Sequence, residues 1–257
     1  MATTGGPRRP EDGWQWRWLL QTVTLLFHAP QAILVALAGV AMTGGLAGLV
    51  GNAMPTGLWW ATLLQVMTTV LGGLVAIATC ASLALREGHG ILPARELHSS
   101  VRRFTAGIFL ITTLLVVVAY LLLSSGIDMT MNSAEATPHR EESARYFVLG
   151  LLGVSGGIFA TLMVNPLWVP LVTQQEMSFS ELRVSGVMLM SKSRQAWTAM
   201  LVVALLCGFS NSVLPAIAGA ALTVLHIAWL YVAAREIYGG ISGNARFSEA
   251  EASLTEA

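Results

Sequence analysis

The residues of this chain best placed to do chemistry lie in the run Ala160-Thr-Leu-Met-Val-Asn-Pro-Leu-Trp-Val-Pro170. Pro166 and Pro170 each lack a backbone donor and free a carbonyl, and Asn165 can donate to it. In an apolar helix this pattern makes either the broken wall of a substrate cavity or a kink solved by packing. His226, between Leu225 and Ile227, is either a neutral imidazole bonded to a neighbouring helix or a pH-sensitive ligand. Gln65, with Thr68 and Thr69, either bonds helix to helix or lines a site.

Nothing in the sequence assembles a reaction centre. There is no serine–histidine pair, phosphate loop, HExxH or CxxC. Asp128, Glu135, His139, Glu141 and Glu142 fit no metal framework by spacing and read as a solvated loop. Cys80 and Cys207 fall inside apolar blocks and read as reduced core thiols. We therefore expect no catalytic residue, no metal and no cofactor, in a chain that is not an enzyme. A net charge of zero gives no electrostatic case for nucleic acid.

The elements that must position these residues are long apolar blocks. The chain of 257 residues is 54% hydrophobic and 11% charged, with a mean hydropathy of +0.66, whereas a soluble domain is about a quarter charged. The blocks suit a hydrocarbon core of about 30 Å, at roughly 20 helical residues per crossing. They are continuous rather than alternating, which excludes a β-barrel. The expected fold is all-α and integral to the membrane: six transmembrane helices as three hairpins, each preceded by a cytoplasmic interfacial amphipathic helix.

The expected spans are 30–50, 58–85, 104–123, 146–172, 196–209 and 216–238, with a tight turn at 51–57 and one long loop at 124–145. Residues 13–28, with Trp14, Trp16 and Trp18, read as an interfacial helix, or else as a straight extension of the first span. No cleavable signal peptide is read ahead of the first block. Residues 1–12 and 242–257 read as disordered tails around a single domain, 13–241.

Twelve Lys and Arg residues fall on one side of this plan and only Arg140 and Arg145 on the other, so both termini are expected in the cytoplasm. Arg95, Arg102, Arg103, Arg183, Lys192 and Arg194 cluster on the expected surface helices. They either set topology or also meet anionic lipid headgroups or a membrane-protein partner. No Asp, Glu, Lys or Arg stands in the middle of a span, which argues against an ion-coupled pump or a voltage sensor. Gly44-x-x-x-Gly48 and Gly153-x-x-x-Gly157 are small-residue patterns that allow close helix approach.

Offsetting the chain by 164 residues lays Trp18 on Leu182, Leu25 on Leu189, His28 on Lys192 and Gln31-Ala32 on Gln195-Ala196. The hairpin ends also match in type, Leu85-Arg86-Glu87-Gly88 against Ala234-Arg235-Glu236. The reading is a parallel repeat of three units, 14–88, 95–176 and 178–240. This layout of basic surface helix then hairpin resembles uncharacterised bacterial six-helix inner-membrane proteins. It also resembles the membrane domain that precedes some glycerophosphodiester phosphodiesterases, whose catalytic domain has no counterpart here. The resemblance implies a bacterial inner-membrane fold with cytoplasmic surface helices, and no catalytic residues to carry over.

The leading functional expectation is a scaffold, an accessory subunit, or a lipid- or envelope-organising protein. The alternative is a passive or weakly coupled transporter or channel for a neutral or lipid-like solute, with its cavity beside Asn165 and Pro166. A third is a membrane immunity or exclusion protein.

Overall fold

The structure is a computed structural model that describes residues 7–53, 58–89, 91, 95–99, 165–175, 177–213 and 216–239, with single positions between 102 and 117. The 124–145 loop, the tail from 242, and most of the third and fourth expected spans lie outside the described residues. Those described form helices and short connections: α1 (Trp14–His28), α2 (Pro30–Ala53), α3 (Leu58–Arg86), α4 (Trp168–Gln174), α5 (Phe179–Lys192), α6 (Arg194–Val213) and α7 (Ala216–Ile237). Residues 95–99 are also helical.

Among the described residues, one helix, Ala218–Ile237, is by itself long and apolar enough to cross a membrane. Trp14–His28 and Pro30–Leu46 pass that test only together, and they are bent by 90° at their junction. The described helices therefore do not establish six spans. The bend removes the straight-extension alternative for residues 13–28, and its cause is local. Pro30 begins α2, and a residue before proline is pushed out of the α region; Ala29 sits at φ −125, ψ 60.

Several boundaries differ from the sequence reading. α2 continues to Ala53, through Gly51, which was expected to begin a turn. A single interior glycine costs only about 1 kcal/mol, too little to end a helix packed along α3. α5 ends at Lys192, and α6 runs from Arg194 to Val213 rather than over 196–209. The Ser193 carbonyl accepts from Trp197 N–H, so Ser193 opens the next helix.

The second elbow matches the first in position and geometry. The 164-residue offset carries Ala29 onto Ser193, whose φ −146 and ψ 74 lie in the same region of backbone space. Buried positions coincide too: Trp18 with Leu182, Leu25 with Leu189, Ala32 with Ala196, and Ala36 with Met200.

α7 is the centre of the assembly and packs against α1, α2, α3, α4 and α6. Its second half is buried on every side, with Ala228, Tyr231, Val232, Ala233, Ala234 and Ile237 all enclosed. The alanines let neighbouring backbones come close. α2 and α3 come close at Gly39, where a Cβ would stand 2.5 Å from a Val75 methyl. At Gly44, the first glycine of the expected motif, a Cβ would meet nothing within 4 Å.

α5 starts with a capping box. The Ser178 hydroxyl accepts from Glu181 N–H, and the Glu181 carboxylate accepts from Ser178 N–H at 2.6 Å. Ser178→Ala is expected to cost about 1 kcal/mol of helix stability. The hydrogen bonds from the Ser178 backbone and hydroxyl hold the Glu181 carboxyl below its ordinary 4.5. A depressed folded value means the stabilisation is present at neutral pH and is lost as pH falls from 4.5 through that lower value. Amide exchange over the first turn of α5 checks both: protection should fall in that acid window, and at every pH in Ser178→Ala.

Candidate functional site

One set of charged and hydroxyl-bearing side chains converges on the last turns of α7. Glu236 accepts hydrogen bonds from Arg17 Nε at 3.2 Å and from Arg17 Nη2. It also accepts from Trp18 Nε1 at 2.8 Å and from the backbone N–H of Glu11 at 3.3 Å. Arg17 bonds Glu11 Oε2 as well, at 3.1 Å. The hydrogen bond to Glu236, helped by the carboxylate charges of Glu236 and Glu11, raises the Arg17 guanidinium above its ordinary value.

One residue earlier, Arg235 donates to Glu87 and, at 3.0 Å, to Gln21 Oε1. Tyr231 donates to Glu87 Oε2 at 3.0 Å, and its hydroxyl lies 3.3 Å from His89 Nδ1. The end of α3 sets these partners in place. His89 N–H bonds the Ala84 carbonyl and Gly88 N–H bonds that of Leu85, a Schellman closure that folds Glu87 and His89 back toward α7.

Residues 7–12, part of the 1–12 segment expected to be disordered, join the same hub; residues 1–6 lie outside the described residues. Pro7 and Pro10 are buried, and Arg8 N–H bonds the Ile237 carbonyl at 2.7 Å. That carbonyl is one of those a helix end leaves without an internal partner. Gly239 makes room for the contact: its φ is +73, and a Cβ there would lie 3.0 Å from the Arg8 guanidinium carbon. Gly239→Ala is expected to destabilise by about 1–2 kcal/mol from the left-handed backbone alone, read as a lower melting temperature in detergent.

Asn165 occupies the far side of the hub and does something other than the sequence suggested. It was expected to donate to a carbonyl freed by proline within a kinked span. It is instead non-helical, residues 166–167 turn, and α4 starts afresh at Trp168. Asn165 Oδ1 accepts from Leu167 N–H at 2.9 Å, while Nδ2 donates to Ser185 Oγ at 3.4 Å and Tyr238 OH at 3.3 Å. The hydroxyls of Ser185 and Tyr238 bond each other at 2.6 Å. Because Pro166 cannot donate, the side chain of the residue before it closes the turn. Asn165, Pro166 and Pro170 are all buried.

The other expected residues are scattered. Gln65 lies in α3, with its side chain outside the described part. His226 lies midway along α7. Its Nε2 is buried and, among the described residues, has no hydrogen-bond partner. Arg95, Arg102, Arg183, Lys192 and Arg194 are exposed and make no ion pair among the described residues; Arg103 lies outside them. Cys80 and Cys207 are free and buried.

Sequence reasoning missed Glu87, Glu236, Arg17, Trp18, Tyr231, Tyr238 and Ser185 as a set. The available signal was the Arg-Glu pair ending each hairpin, but of those four residues only Glu87 and Arg235 face each other, Glu236 facing Arg17 and Arg86 the His28 carbonyl.

What the hub can do follows from its pairing. Each carboxylate faces a guanidinium, and each hydroxyl is shared. Among the described residues, no three His, Cys, Asp or Glu come together to hold a metal ion. No family model matches the sequence, and no curated protein or solved structure matches it.

Proposed function

We propose that this chain is a non-enzymatic, multi-pass protein of the bacterial inner membrane that works as a scaffold, accessory subunit or lipid-organising element. The observation that carries the reading is the hub itself. Its acids and bases are bonded to one another across four segments, an arrangement that braces α1 and the N-terminal strap against α7 and leaves no acid or base of the hub unpaired.

The six-span plan belongs to this proposal. α2 has 24 residues without a charge, and α3 has 29 with Arg86 at its end. Each exceeds the roughly 20 residues a crossing needs. Both termini are assigned to the cytoplasm by the Lys and Arg count, and units 14–88 and 178–240 are read as copies by their matched elbows and buried positions. Arg95, Arg102, Arg183, Lys192 and Arg194, exposed and without an ion pair among the described residues, suit anionic headgroups, each contributing on the order of 1 kcal/mol.

Native mass spectrometry of the protein in nanodiscs tests this. A stoichiometric protein partner or a retained anionic lipid is the expected result, and Arg183→Glu with Arg194→Glu should reduce the lipid retained. A chain that emerges alone and lipid-free would overturn the reading. A conduit for a neutral solute is the second reading, and one observation favours it: the buried Nε2 of His226, which has no hydrogen-bond partner among the described residues. Solute flux in liposomes that falls in His226→Ala would support it.

A further inference from the structure

α1 and α5 hold matching buried faces, but their outward faces differ in kind. On α1, Trp16, Leu20, Val23 and Phe27 follow the spacing of a single helical face and are 72%, 65%, 39% and 81% exposed. The 164-residue offset places Ser180, Val184, Val187 and Ser191 at the same positions of α5. Thus α5 ends its outward face in serines where α1 has an indole and a phenyl ring. The buried face cannot explain these rings, because it consists of Trp14, Trp18, Leu25 and their neighbours on the opposite side.

Two features identify what meets the outward face of α1. It carries no charge: Arg17, the one Asp, Glu, Lys or Arg of α1, turns aside to Glu236. The matching face of α5, Ser180, Val184, Val187 and Ser191, is also uncharged, so what separates the two faces is the exposed indole and phenyl ring of α1. Its depth is also fixed, because α1 docks where the apolar length of α7 gives way to Arg235 and Glu236, and it crosses α2 at 90°. Past the elbow, exposed apolar surface continues on α2 with Leu34 at 66% and Met42 at 68%.

We propose that the outward face of α1 is inserted into the boundary between headgroups and acyl chains, and that the matching face of α5 is not. This rests on the membrane reading above. Trp16 and Phe27 are the side chains that reach lipid, as aromatic rings do at that depth. The two in-plane helices then have separate tasks, α1 as an anchor in the leaflet and α5 as a basic surface over it.

The test uses the full chain in liposomes, with an environment-sensitive fluorophore on Phe27→Cys, Ser191→Cys or Met42→Cys. The native thiols are buried, and the unsubstituted chain sets the labelling background. Emission is quenched either by lipid carrying a nitroxide near the top of its acyl chain or by aqueous iodide. A face buried about 5–10 Å into the boundary should lose about half of its emission to the nitroxide at Phe27→Cys and little at Ser191→Cys. Quenching at Met42→Cys but not at Phe27→Cys would overturn the proposal and leave the membrane reading standing; quenching at neither would overturn both. Equal quenching at Phe27→Cys and Ser191→Cys would remove the distinction between the helices. A Phe27→Cys label shielded from both quenchers would mean that protein, not lipid, covers the face, which also overturns it. Trp16→Cys reads the same face if Phe27→Cys fails to assemble.

Discussion

Replacing Trp18 by alanine should destabilise the protein by about 3–5 kcal/mol, the usual range for emptying a buried tryptophan site. Trp18 has no exposed surface, and its ring lies 4.5 Å from that of Trp14 and 5.5 Å from that of Trp229. The substitution leaves a void between α1 and α7 and leaves Glu236 short of a donor. Trp18→Phe separates these effects: it keeps most of the ring packing and loses the indole N–H, for an expected cost of about 1–3 kcal/mol. Thermal unfolding in a fixed detergent checks both. A Trp18→Ala protein as stable as the parent would mean that α1 is not anchored through this side chain.

Glu236→Gln should cost about 2–3 kcal/mol, since it removes the charge that Arg17 faces while keeping the shape. The figure sits below that of a fully buried pair because the Arg17 and Glu236 side chains retain 31% and 22% of their exposure. The Arg17–Glu11 contact is a weaker candidate, with Glu11 84% exposed. A double-mutant cycle of Glu236→Gln with Arg17→Met isolates the pair, and a coupling below about 0.5 kcal/mol would show that the hub is ornament and not brace. Because Trp18 and Arg17 share the same carboxylate, the two large effects should be less than additive.

What could be read from the sequence was set by local physics. α2, α3, α6 and α7 lie where the apolar runs place helices. The matched positions at a 164-residue offset were also legible, because helical burial repeats along one chain. Partners separated by the whole length of the protein were not. Glu236 gives no sign in its own neighbourhood of facing Arg17, and Glu87 none of facing Arg235. The strap at 7–12 read as disordered because composition reports whether a segment can build its own core, not whether another element offers a carbonyl and room beside a glycine. Asn165-Pro166 was recognised as a break, but the partners of Asn165, Ser185 and Tyr238, come from two other helices and could not be inferred from spacing.

The binding of the strap and α1 to the end of α7 also has a consequence for biosynthesis. Trp18 meets its acceptor 218 residues downstream, and Glu11 meets the same side chain 225 residues downstream. The first helix to leave the ribosome therefore waits for the last before its inner face is covered. Until then Trp14, Trp18 and Leu25 remain open to chaperones, lipids and proteases, as long-range contacts form late and leave intermediates exposed. A chain stopped before Ala216 should be degraded rapidly even though α1 to α6 are complete, so that the final helix acts as the quality check on the first.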